Sequence, residues 1–115
     1  MLNEKVSQLL NDQVNKEFYS AYLYLQFSNF YVEQGLAGFA NWYNVQAQEE
    51  RDHAMLFIQY LQNNSEKISL ESIDKPDKVF DAFDQPLHAS LEHERYVTSL
   101  IHNIYDAAYT VKYFR

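Results

Sequence analysis

At 115 residues the chain holds one domain, and 47% hydrophobic residues with only two Gly and two Pro favour long helices over sheet. The absence of Cys excludes disulfides, thiolate metal sites and cysteine chemistry. Sixteen acidic against nine basic residues give a net charge of -7, which argues against nucleic acid and anionic lipid as partners and for attraction of cations.

The first helix is predicted over about 2–34. Leu10, Val14, Glu17, Ala21, Tyr24, Ser28 and Tyr31 recur in steps of three and four, with Phe18, Leu25 and Phe27 widening or flanking the stripe. Met1-Leu2-Asn3-Glu4-Lys5 opens this amphipathic pattern rather than the apolar core of a signal peptide, and no apolar run is long enough to span a bilayer. A soluble cytoplasmic protein is therefore expected. Gly35 is a suitable residue to end the helix because it tolerates the left-handed conformation, and the short Gly35-Leu36-Ala37-Gly38 link makes the next helix antiparallel.

The second helix is predicted over 38–62, with Phe39, Tyr43, Gln46, Glu50, His53, Phe57 and Tyr60 as its inward stripe. Asn63-Asn64-Ser65 breaks the pattern, and the stretch to about Phe83 holds no sustained period. A connection of roughly 20 residues is long for neighbouring bundle helices. Crossing the bundle explains it: a helix of about 24 residues is about 36 Å long, and roughly 11 extended residues return along it. The third helix, over 84–111, can then lie parallel to the second. Asp84 is its expected N-cap, Pro86 sits in the first turn, and Leu87, Leu91, Glu94, Thr98, Ile101, Tyr105 and Ala108 form the expected stripe.

Three carboxylates thus stand where apolar residues are expected, one in each helix: Glu17, Glu50 and Glu94. Burying a carboxylate without a partner costs several kcal/mol or forces it to take up a proton, so these positions call for a cation. Glu50 and His53 leave one helix face about a turn apart and can grip one ion. Each element alone has a plainer reading. A Glu-x-x-His pair is commonly solvated, Glu17 could lie on a solvated face, Tyr24 could be a core aromatic, and Glu94 belongs to the charged run Glu92-His93-Glu94-Arg95. The coincidence across three stripes favours a dinuclear iron, manganese or zinc site in a bundle core. His88 and His93 fall off the third stripe and read as surface residues, while His102 neighbours it beside Tyr105 and Tyr109.

The segments Asn15-Lys16-Glu17-Phe18-Tyr19-Ser20-Ala21-Tyr22-Leu23-Tyr24, Gln48-Glu49-Glu50-Arg51-Asp52-His53-Ala54 and Glu92-His93-Glu94 together resemble bacterial non-haem ferritin, and the long crossover agrees. The resemblance implies an all-α, ferritin-like bundle of which this chain carries three long helices, the family's fourth being absent. It implies iron storage with ferroxidase activity: Fe(II) is oxidised by oxygen at a di-iron centre and stored as ferric mineral. By the same likeness Glu17, Glu50 and His53 hold the first iron, Glu50 bridges, Glu94 holds the second, Tyr24 stands beside the centre and Glu49 belongs to an outer iron site. Members form 24-subunit hollow cages. A full-length parent of this chain is expected to do so, while the chain as given, short of the fourth helix, is expected to self-associate as a homo-oligomer by pairing or swapping. Bacterioferritin is similar too, but carries a haem-ligating Met where this chain has Arg51, so no haem is expected. Two other functions compete. One is a helical interaction module without iron turnover; the other, a rubrerythrin-like peroxidase, is disfavoured by the lack of Cys.

Overall fold

The computed structural model describes residues 2–114, and side chains through 111. It contains α1 (Glu4–Glu33), α2 (Ala37–Asn63) and α3 (Gln85–Phe114), with no strand among the described residues. The first helix starts two residues later than expected because Asn3 caps it, its side chain accepting from the backbone N–H groups of Lys5 (2.9 Å) and Val6 (3.4 Å). It ends as expected at Gly35 (φ 73°): Gly35 N–H donates to Val32 and Leu36 N–H to Tyr31, which satisfies two terminal carbonyls. The end of α2 repeats this geometry with Ser65 (φ 60°) in the left-handed position, Ser65 N–H reaching Gln62 and Glu66 N–H reaching Leu61.

The molecule measures 53 × 23 × 21 Å, with α1 as its central element. α1 packs against both other helices, whereas no Cα of α2 comes within 8 Å of a Cα of α3. One apolar cluster at the link end joins Leu23, Tyr24, Phe27, Phe30 and Tyr31 to Ala40, Tyr43 and Ala47, with Leu87 and Ala89 of α3 against it. The other joins Val6, Leu10, Val14 and Leu61, with Ile104, Ala107 and Val111 against it. Early α1 thus meets late α2 and late α3, so α2 and α3 run parallel, as the crossover length predicts. Serving two neighbours widens the buried face of α1, adding Gln13, Ser20, Leu23 and Phe30 to the expected stripe and burying its expected neighbour Phe27. Leu25, expected beside that stripe, is exposed.

The other two stripes need correction. On α2, Tyr43 and Glu50 are buried as expected, but Phe39, His53 and Tyr60 are exposed. The residues turned to α1 are Ala40, Ala47, Ala54 and Leu61, since small side chains at a seven-residue spacing let the two backbones approach. On α3, Leu91, Glu94, Thr98, Ile101, Tyr105 and Ala108 are exposed. The packed face runs instead through Pro86, Ala89, His93, Val97, Leu100, Ile104, Ala107 and Val111. That is a shift of one residue, or about 100° around the helix. A hydropathy stripe marks bulk, and on both helices the bulk borders the space between α2 and α3.

The crossover has no regular structure yet follows a fixed path along α1. Asn11 and Asn15, one turn apart, donate to the Ser69 carbonyl and accept from the Ser69 and Glu71 N–H groups at 2.8 to 3.1 Å. Gln26 donates to the carbonyls of Pro76 (2.8 Å) and Lys78 (3.1 Å), and the Tyr31 hydroxyl to that of Phe83. Phe80 packs edge-on against Phe27 and Phe30. These contacts satisfy strand-like backbone groups with side chains instead of a neighbouring strand.

Candidate metal centre

Adjacent turns of α1 and α2 face each other near their midpoints, where Glu17 meets Glu50 and His53. His53 Nδ1 lies 3.4 Å from Glu50 Oε2 and 3.9 Å from Glu17 Oε2. One ligand atom from each of the three residues falls within 4.8 Å of the others, a separation one ion can draw together. Glu17 and Glu50 are 3% and 6% exposed, whereas His53 is open to a cavity of about 500 Å³ between α2 and α3. Leu56, Phe57, Val97 and Ile101 share this cavity with the three residues and Glu94.

The electrostatics of the pair of carboxylates are unfavourable without a cation. Burial pushes the Glu50 carboxyl up to about 9, helped by its hydrogen bond with Glu17 and by the charges of Glu17, Glu94 and Glu49. Glu17 Oε1 accepts from the Gln13 amide at 2.9 Å, but Glu17 Oε2 is buried and finds no donor while both carboxylates are ionised. A proton on Glu50 fills that need in the empty centre, and a metal ion fills it better, because one cation satisfies both acids and the imidazole. The residues present fit a divalent metal.

Glu94 borders the same cavity but stands outside this close group. Its Oε1 accepts a hydrogen bond from the Tyr24 hydroxyl. Burial, then this bond and the charges of Glu94 and Glu50, raise the Tyr24 phenol far above its usual range. Tyr24 is therefore a firm neutral donor that fixes one oxygen of Glu94. Glu49 is exposed, outside the close group, and reaches the centre through its charge on Glu50.

His93, expected at the surface, is half-buried against α1. Its Nε2 lies 2.7 Å from Ser20 Oγ, and its ring packs edge-on against Tyr24. The Ser20 hydroxyl donates to the Lys16 carbonyl, so it accepts from Nε2–H. Burial lowers the His93 imidazole below its ordinary value, with the nearby Lys78 acting the same way and the charges of Glu94 and Glu17 opposing. His88 is exposed as expected, lying 3.6 Å from the Asp84 carboxylate, and His102, expected beside the third stripe, is exposed as well. Sequence reasoning also passed over Gln13, although its place four residues before Glu17 puts the two on one face of α1.

Residues 7–114 match the family model of a ferritin-like domain. Bacterial non-haem ferritin of Campylobacter jejuni is 34% identical over 112 residues, a match covering 97% of this chain and 67% of that one. A humanised archaeal ferritin superposes with a TM-score of 0.94 at 38% identity, over 99% of this chain and 69% of that one. An open-pore ferritin from the hyperthermophilic archaeon Archaeoglobus fulgidus gives 0.93 at 36% identity, over 98% and 69%. The chain spans about two thirds of the length of the relatives it matches.

Proposed function

Starting from the fact that the chain belongs to the ferritin family, we propose that it binds ferrous iron as its substrate and oxidises it with oxygen, toward storage as ferric mineral. The observation that carries this reading is the close group of buried Glu17 and Glu50 with His53, in which Glu17 Oε2 finds no donor unless Glu50 holds a proton. In this reading Glu17, Glu50 and His53 hold one ferrous ion. Glu50, reached by the charge of Glu94, bridges toward a second ion that Glu94 holds from across the cavity. Two ferrous ions held close together give one electron each, so dioxygen accepts two electrons and two protons and becomes hydrogen peroxide. Anionic oxygen ligands favour the ferric product over the ferrous substrate, which sets the direction.

Each residue's part follows from its surroundings. Glu50 carries a proton in the empty centre, and iron binding displaces it. Tyr24 holds one oxygen of Glu94 and leaves the other free. His53, open to the cavity, is the ligand an incoming ion meets first. Glu49 adds negative charge beside the centre and serves an outer iron position. Self-association as a homo-oligomer accompanies the function, consistent with the apolar side chains exposed along α2 and α3, including Trp42, Leu56, Leu91 and Tyr105.

Fe(II) added in air to the purified protein is expected to develop ferric absorbance faster than in buffer alone, and Glu50→Ala is expected to abolish the difference. A parent protein that tracks buffer refutes the proposal.

A further inference from the structure

We infer that Gln13 is a positioning residue that holds the Glu17 carboxylate so that only Oε2 is offered to the metal. The inference rests on the metal-binding reading above. Gln13 is 2% exposed and lies one helical turn before Glu17 on α1. Its Nε2 donates to Glu17 Oε1 at 2.9 Å, and both groups are buried. The opposite oxygen, Oε2, is the one without a donor, and it is this oxygen that faces His53.

An amide at this depth needs an explanation. Gln13 also borders a second cavity, of about 440 Å³, whose lining mixes apolar Leu9, Leu100 and Ile104 with polar Asp12, Lys16 and Asn103. A Leu or Met at this position would pack against those apolar neighbours without any desolvation cost, whereas the amide is tolerated only because it is hydrogen-bonded. The bond it makes is to a metal-ligand candidate. Its donor is neutral and keeps its proton over the working pH range, so it orients the carboxylate without bringing a positive charge that repels the ion. The same arrangement recurs at Glu94, whose Oε1 is held by the neutral Tyr24 hydroxyl. Two carboxylates around one cavity thus each have one oxygen committed to a protein donor. Removing the Gln13 donor leaves Glu17 to be oriented by the metal itself, which weakens binding and changes the set of oxygens the ion meets.

The test uses Co(II) alone as the probe, without oxygen, on the whole chain and on Gln13→Met, which keeps length and apolar packing but lacks the donor. The metal-free variant is expected to keep the parent's helicity but to melt lower, because Glu17 Oε1 loses its buried donor. It should bind Co(II) about 10- to 100-fold more weakly, with a visible absorption band altered in position or intensity. Gln13→Asn, which keeps the amide but shortens its reach by one methylene, is expected to show the same loss and serves if the Met variant does not fold. Parent-like affinity and an unchanged band in Gln13→Met overturn the positioning role. A variant that melts lower yet shows the parent's band makes Gln13 a packing residue and overturns it as well. A parent that binds no Co(II) overturns the metal-binding reading, and the inference with it.

Discussion

Glu50→Gln is expected to change how the metal-free protein responds to pH. In the folded chain, burial and the neighbouring carboxylates hold the Glu50 proton up to about 9, whereas the ordinary value is 4.5. Between those values the folded state keeps a proton that the unfolded state has released. Stability is therefore full below the unfolded value and falls as pH rises toward the folded one. One such proton gives a slope of about 1.4 kcal/mol per pH unit. From about pH 5 to pH 8 that amounts to roughly 4 kcal/mol as an upper bound for a single group, a large share of a typical domain's 5–15 kcal/mol. Gln is neutral and nearly isosteric, and its amide can still donate to Glu17, so the variant lacks this slope. The assay is urea unfolding followed by far-UV circular dichroism, in chelator, at fixed chain concentration, across the pH range. The parent is expected to lose stability relative to Glu50→Gln with rising pH. Saturating Zn(II) is expected to erase that loss, because the ion takes the place of the proton. Parallel parent and variant curves in chelator refute the assignment of a buried, proton-holding Glu50.

Three further outcomes follow from the packing. Ser65 occupies the left-handed position at the end of α2, so Ser65→Gly should stabilise by about 0.5–1 kcal/mol, read by thermal melting, while Gly35→Ala should destabilise by a similar amount. Leu61 is fully buried against Val6, Leu10 and Val14, so Leu61→Ala should cost about 2–5 kcal/mol. Its neighbour Tyr60, 44% exposed, should lose much less on the same change, and equal losses would contradict the orientation of α2. Asn15→Leu removes two bonds to the crossover, and hydrogen exchange at Glu71 should quicken while the Ser69 amide, held by Asn11, and the α2 amides stay protected.

The number of helices, their ends within two or three residues and the parallel course of α2 and α3 were all legible from spacing, Gly35 and the length of the crossover. The meeting of Glu17 and Glu50 was legible too, because carboxylates that interrupt apolar stripes carry a desolvation cost, whereas His53 joins them from an exposed position that its place in the stripe did not suggest. The orientations of α2 and α3 were not legible. Ala40, Ala47 and Ala54 look featureless in a sequence, yet closeness of approach is what a small side chain supplies. On α3, a stripe of Leu, Ile and Tyr reads as core, although the face that packs on α1 holds Ala89, His93 and Val97. His93 was misread for this reason. The grip of Asn11 and Asn15 on the crossover was invisible because a polar residue on a helix gives no sign of a partner more than 50 residues away.

The placement of the three candidate ligands on α1 and α2 bears on how the site is assembled. Glu17, Glu50 and His53 all lie within one helical hairpin whose connection is only a tight turn at Gly35, so the contacts that gather them need no help from the crossover or α3. Local pairing of this kind forms fast, while the crossover must close a much longer loop before α3 gains its packing. The three residues are gathered by α1 and α2 alone, so a metal ion bound among them would clasp the hairpin shut independently of α3.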